Sequence, residues 1–235
     1  MALNLDRQNQ YRNQYRTHKP GWRPATEVYE GLIREHLRPQ MRVLDIGCGR
    51  GGVLEQISAG VGFPVGIDPD LLSLREHRLP DLFRAEATAD HLPFCSQFFD
   101  LILASWVMEH LDRPEVALSE ISRCLAPGGY LIFLTPNGRS LVAWLNRLLH
   151  PLQAYLVPRL YGRSETDTFP VRYRVNNAAQ LRRLAARTGL KLDRLMFVED
   201  PTYLAFSAFW FRVSLWLTRI TPPVHLVGAL YREIP

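Results

Sequence analysis

Val43-Leu44-Asp45-Ile46-Gly47-Cys48-Gly49-Arg50-Gly51-Gly52 is a short apolar strand that carries one acid near its end and then breaks into glycines. An apolar run of this length bounded by glycine reads as a buried strand, and the turn after it should open a helix. Gly47, Gly49 and Gly51 let the backbone turn tightly and approach a ligand with no Cβ in the way. Asp45 sets a negative charge just before that turn, where a phosphate would be poorly received. The combination points to a ligand with an adenosine part and a positive charge near the loop.

Further along stand Gly66-Ile67-Asp68, Asp90-His91-Leu92-Pro93-Phe94, Phe99-Asp100-Leu101-Ile102, Glu109-His110-Leu111 and Leu125-Ala126-Pro127-Gly128-Gly129-Tyr130. In this order and spacing, over residues 40 to 137, the set resembles the successive motifs of class I S-adenosylmethionine-dependent methyltransferases, including those of the ubiquinone-biosynthesis type. The resemblance implies an α/β fold: a Rossmann-like, doubly wound, seven-stranded sheet, mostly parallel with the last strand antiparallel, plus a helical lid insertion. It implies S-adenosylmethionine as cofactor. Asp45 and the loop residues Gly47, Cys48, Gly49 and Gly51 would hold its methionyl end. Asp68, with Pro69 beside it, would take the ribose hydroxyls, and Ser105 closes the fourth strand over the same site. Adenine would lie near Thr88, Ala89 and Asp90. Family sequences often carry an acid four residues before the Leu-Pro-Phe element; here that position is Thr88, so backbone amides at Ala89 or Asp90 would take over the base.

Gly47-x-Gly49-x-x-Gly52 also fits the dinucleotide fingerprint, which alone is weak. An NAD-dependent oxidoreductase would put a pyrophosphate at the helix N-terminus, close to Asp45, which is unfavourable. A sulfonium and an ammonium group gain from the same carboxylate. Asp68 fits both readings, because an acid after the second strand binds ribose hydroxyls in each.

An oxygen acceptor needs its proton removed, and histidine suits that task near neutrality. His110 follows the fourth strand with Glu109 beside it; the pair reads first as a structural or cofactor-side support and second as the catalytic base. Trp106 is either a pocket wall or core. Arg172, Tyr173, Arg174 and Tyr161 are candidates for holding an acidic or hydroxylated acceptor. The chain lacks the Asn/Asp-Pro-Pro-Tyr element of many amino-methylating enzymes of this fold, which favours oxygen as the methylated atom. The competing reading from another class is a non-catalytic S-adenosylmethionine-binding module that uses its surface to hold a partner or membrane.

The 235 residues read as one domain: an N-terminal helical cap (1–40), a cofactor-binding core (41–137), a lid insertion (138–175) and a C-terminal part (176–235). The net charge of +5 hides an uneven spread, because residues 42–137 carry −6 while 1–41 carry +3 and 138–235 carry +8. The positive charge is almost all arginine, which suits an anionic substrate or membrane surface, or simply a solvated exterior. The basic segments are too apolar for a phosphate track, so no nucleic acid is expected. Cys48, Cys95 and Cys124 are scattered without metal-ligand spacing, and Asn4 to Trp22 is polar; free thiols, no metal and a cytoplasmic location follow.

Val28, Leu32, Ile33 and His36 or Leu37 predict a helix before the first strand. Tyr11 and Tyr15 lie in a surface helix or a lid-like segment closing over the cofactor. Pro69 begins a helix; strands are expected at 82–86, 98–105, 130–135, 190–198 and 225–232. Pro114 to Cys124 is a helix with Val116, Leu118, Ile121 and Leu125 inward. Leu141, Trp144, Leu145, Leu148, Leu149 and Leu152 share a face interrupted by Pro151, and residues 161–173, with Glu165 and Asp167, form an irregular lid. Asn177 caps a helix ended by Gly189. Residues 203–220 are apolar nearly all round, with Ser207, Ser214 and Thr218 in one polar line and Arg212 and Arg219 in another. This helix either packs in the core or covers the substrate, and it also suits burial against a partner or contact with lipid as a peripheral membrane site. The acceptor is a small or amphipathic molecule, lipid-, quinone- or glycolipid-like.

Overall fold

The computed structural model describes residues 5–149 and 171–234. Seven strands form one sheet: β1 (Arg42–Ile46), β2 (Phe63–Asp68), β3 (Phe83–Glu86), β4 (Phe99–Ser105), β5 (Leu125–Pro136), β6 (Leu190–Val198) and β7 (His225–Arg232). Their order is β3-β2-β1-β4-β5-β7-β6. The first five pair in parallel, and β7 runs antiparallel to both β5 and β6. This is the Rossmann-like sheet expected from the motifs.

Alternation along each strand divides the core in two. Leu44, Ile102, Ala104, Leu131 and Phe133 face one layer, where α5 (Pro114–Cys124) and α7 (Ala178–Arg187) cover the sheet with Leu118, Ile121, Leu181 and Leu184. Val43, Leu101, Leu103, Ile132 and Leu134 face the other, against Tyr29, Leu32 and Ile33 of α2 (Ala25–His36). Both faces are covered, so the central strands read as unbroken apolar runs. Chain order reverses between β1 and β4, and in such sheets the crevice outside the strands' carboxyl ends is where ligands bind.

Several expectations need correction. The helix after β2, α4 (Leu71–Arg75), is opened by Asp70, whose carboxylate accepts from Leu72 N and Ser73 N; Pro69 precedes the cap. β5 begins at Leu125, and Pro127-Gly128-Gly129 lies where the register against β4 shifts. In α5, Val116 is exposed and Ala117 turns inward, because the buried stripe runs 117, 118, 121, 124. α6 (Leu141–Leu148) buries only Ala143, while Trp144 and Leu148 face outward. Residues 150–170, with Pro151, Leu152, Tyr161, Glu165 and Asp167, lie outside the described residues, as does most of the expected lid.

The apolar stretch 203–220 is not one helix. A 3₁₀ turn (Pro201–Leu204) is followed by a break and then by α8 (Ala208–Leu217), whose first turn is capped by Ser207 accepting from Trp210 N. Ser207 is thus a cap and not part of a polar line; Ser214 is buried. At the other end of the chain, α1 (Leu5–His18) is held against this region. Arg12 donates through Nε and Nη2 to Asp200 Oδ2 (3.2 and 2.9 Å), and Tyr15 Oη donates to Glu199 Oε1 (2.5 Å). Tyr11 stacks on Phe211 with ring centroids 4.6 Å apart. These tyrosines therefore bind the two ends of the chain together and do not line the crevice.

Candidate active site

A cavity of about 650 Å³ opens at the carboxyl ends of β1, β2 and β4. Among the expected cofactor residues Gly47, Asp68, Pro69, Thr88, Ala89, Asp90 and Ser105 line it, and so does His110. Asp45, Cys48, Gly49 and Gly51 do not. The turn itself explains the difference. Gly47 N and Cys48 N both donate to Ile67 O (2.8 and 3.0 Å), Gly49 N donates to Asp68 Oδ2 (2.9 Å) and Gly51 N to Cys48 O (2.9 Å). The loop folds its amides back onto β2 and keeps only Gly47 at the wall. A Cβ there would come within 2.6 Å of Val107 Cγ2, and its φ of +73° is left-handed, so glycine is required on both counts.

Asp68 is the fixed point of the crevice. Its second oxygen accepts from Asp70 N at 2.8 Å. Two backbone donors hold the carboxylate in place, and each oxygen keeps a lone pair for a diol. Asp45 lies behind it, buried; burial and then the Asp68 charge push its pKa up to about 7.

This donor set fits S-adenosylmethionine better than a dinucleotide. A pyrophosphate wants free amides at the turn into the helix, whereas here the amides of Gly47, Cys48 and Gly49 are engaged and the Asp45 carboxyl lies buried behind them. A cationic thioether there meets the negative charge of Asp68.

The base-side wall is tied up as well. Thr88 Oγ1 donates to Asp90 Oδ1 (2.7 Å), and Arg113 donates through Nε and Nη2 to Asp90 Oδ2 (3.1 and 2.6 Å). The Thr88 hydroxyl, ahead of Arg113, holds the Asp90 carboxyl below the usual carboxylate range.

On the opposite side, the backbone of Trp106 is left-handed at φ +59°, a conformation bulky residues rarely adopt. Trp106 N donates to Leu134 O (2.8 Å), and the ring meets His225 edge-on at 5.2 Å. His225 is buried, which pushes its pKa down to about 4, and its Nε2 pairs with Tyr203 Oη at 2.9 Å. The kink turns Trp106, Val107 and His110 into the crevice.

Glu109 points away from it. Its carboxylate accepts from Thr135 Oγ1 (2.9 Å), whose oxygen accepts in turn from Asn176 Nδ2 (2.6 Å). Burial pushes Glu109 up to about 7, and Oε1 lies 3.9 Å from His110 Nε2. The Glu109 carbonyl accepts from Arg172 N (2.6 Å) and Tyr173 N (3.2 Å), which brings Arg172 to the crevice rim beside Asp112, 2.9 Å away. Tyr173 sits instead under the Arg147 guanidinium (4.8 Å), and Arg174 donates to Asp112 O. Sequence reading missed Val107, Asp112 and Arg113, which sit on loops with no residue pattern of their own.

The three cysteines stand apart from this chemistry: Cys48 and Cys124 are buried and Cys95 is exposed. Burial pushes the Cys48 thiol up to about 12 and that of Cys124 up to about 11.

A sequence profile described as a methyltransferase domain matches residues 20–195. The chain belongs to that family. It is a class I S-adenosylmethionine-dependent methyltransferase by family and fold. The methyltransferase is 29% identical over 163 residues to a ubiquinone biosynthesis O-methyltransferase of Thiobacillus denitrificans, covering 66% of each chain. It is 33% identical over 111 residues to a ubiquinone/menaquinone biosynthesis C-methyltransferase UbiE of Bordetella parapertussis, covering 43% of each. The match thus spans from about two fifths to just under two thirds of these relatives' length. Among solved structures, an S-adenosylmethionine-dependent methyltransferase of Methanosarcina mazei superposes with a TM-score of 0.62 at 21% identity, over 87% of this chain and 98% of that one; this likeness concerns the fold. No helix among the described residues is long and apolar enough to cross a membrane.

Proposed function

We propose that the methyltransferase moves the methyl group of S-adenosylmethionine to a hydroxyl of an amphipathic, quinone- or lipid-like acceptor. The observation that carries this reading is the crevice wall beyond Asp68. Trp106, Val107 and Leu111 form an apolar side, and His110 and Arg172 stand on the same wall. A flat apolar ring would lie on the first group and present a hydroxyl to the second. The names of the relatives, quinone-biosynthesis methyltransferases acting at oxygen or at carbon, support the acceptor class.

The cofactor supplies a methyl group on a sulfonium, already activated toward displacement. The protein has to align three atoms and exclude water, which is where effective molarity acts. Asp68 holds the ribose diol and Gly47 allows close approach. His110 would take the acceptor's hydroxyl proton, and S-adenosylmethionine held by Asp68 and Gly47 would supply the methyl group to that oxygen. Glu109, fixed by Thr135, supports the imidazolium so formed. In this reading Asp45 acts at a distance, as negative charge behind the loop.

Isothermal titration with S-adenosylmethionine and S-adenosylhomocysteine, paired with radiolabelled methyl transfer into a bacterial lipid extract, tests the proposal. Binding together with label in the extract is expected. Binding without transfer to any extract would favour the non-catalytic module; absence of binding sinks both.

A further inference from the structure

We propose that the outward face of α8 is a docking surface for an anionic lipid bilayer. This inference concerns where the enzyme stands and does not depend on which acceptor it methylates.

The helix is amphipathic in the reverse of the usual sense. Its buried residues are Phe211, packed with Tyr15, Trp22 and Ala205, and Ser214, while Phe209, Trp216 and, just past the helix, Ile220 face solvent at 67%, 57% and 61% exposure. At 100° per residue, Phe209, Val213 and Trp216 fall within one narrow stripe, and the exposed Ile220 follows in the turn after the helix. Apolar side chains at that density on an exterior mark an interaction site.

Charge then selects the occupant. Arg212, on the flank of the stripe, and Arg219, in the turn after the helix, are both exposed. Residues 203–224 contain no Asp or Glu. The neighbouring α6 repeats the pattern: it shares a small cleft with α8 through Leu141, Val142, Leu217 and Thr218, and it exposes Trp144 and Leu148. Its only charged residue is Arg147. Glu199 and Asp200, just before this segment, are engaged by Lys19 and Arg12.

Tryptophan and phenylalanine beside arginine, with acids absent, is the chemistry of a helix that lies in the headgroup layer. Basic side chains add attraction to anionic lipid, which salt screens. A second copy of the same face would bring arginines against arginines, which disfavours self-association.

The full chain should be sedimented with vesicles of phosphatidylcholine alone and with 30% phosphatidylglycerol, a composition chosen at about the anionic fraction at which basic patches bind. Binding to the anionic vesicles, reduced in neutral ones and by raised salt, is expected. Phe209→Ser with Trp216→Ser should lower the partition coefficient roughly tenfold or more, and Arg212→Gln with Arg219→Gln should abolish the preference for anionic lipid. Circular dichroism and S-adenosylhomocysteine binding serve as fold controls, since none of these residues lines the crevice. Failure to bind either vesicle, or unchanged binding by both folded variants, would overturn the proposal. So would a wild-type dimer that the Phe209/Trp216 variant turns into a monomer, because the face would then be an interface between copies.

Discussion

A carboxylate that receives two backbone amides in the resting protein, as Asp68 does from Gly49 and Asp70, is already in position when a ligand arrives. Asp68→Ala should weaken S-adenosylhomocysteine binding by about 1–3 kcal/mol, measured by calorimetry. Unchanged affinity would remove the ribose assignment. In the proposed mechanism His110 acts in the transfer step, so His110→Ala should lower kcat by about 10²–10⁴-fold with little change in cofactor KM. A KM effect alone would make His110 a cofactor support. The places of Asp68 and His110 at the crevice were legible in the sequence, because Asp68 ends the apolar run of β2 and His110 comes soon after that of β4. The buried place of Asp45 was not readable: spacing puts it beside the loop, but only the backbone path, with Gly47 and Cys48 amides folded onto Ile67 O, puts it behind the wall. Trp106 gave no sign of its left-handed turn, since nothing in its neighbours calls for glycine.

Element boundaries followed the strength of their local signals. β6 and β7 run from Leu190 and His225 as expected, because Gly189 and Pro222-Pro223 mark the turns before them, and β7 is an unbroken buried run. The cap of α7 was equally legible: Asn177 Oδ1 accepts from Gln180 N at 3.0 Å, while Asn177 Nδ2 donates to Gln180 Oε1 at 2.5 Å. Asn177→Ala should cost about 1 kcal/mol and lower Tm by roughly 2–4 °C in a calorimetric scan; a change within error would show that the cap adds nothing to the folded core. The stretch 203–220 misled because composition says how apolar a helix is and not which way it faces. There Asp200 and Ser207 each start a separate turn, and the chain between them breaks at Ala205 and Phe206.

Protonation acts on the molecule as a whole. Asp45 and Glu109 titrate near pH 7 in the folded state but near 4 when unfolded. Between those values the native state holds protons the unfolded chain lacks, so stability falls as pH rises. His225 runs the other way: its folded pKa of about 4 against roughly 6.5 unfolded makes stability rise with pH over that interval. His77, also lowered by burial, adds to the same side. Two carboxylates outweigh His225, so Tm should decline gently from about pH 4.5 to 6, more steeply from there to about pH 7.5, and level off above. Asp45→Asn with Glu109→Gln should flatten the decline, and a wild-type Tm that rises across it would contradict the buried carboxylates. The same ionisation should tighten S-adenosylmethionine more than neutral-sulfur S-adenosylhomocysteine as pH rises through that range. The three cysteines carry a practical corollary. Thiolate is the reactive form, and two of the three sulfurs are sealed and hard to ionise, which leaves Cys95 on the loop that feeds β4 from the end opposite the crevice. A maleimide dye should therefore attach once per native chain, at a spot remote from the chemistry, and so supply a ready-made fluorescent handle for following the enzyme onto vesicles without any engineered residue.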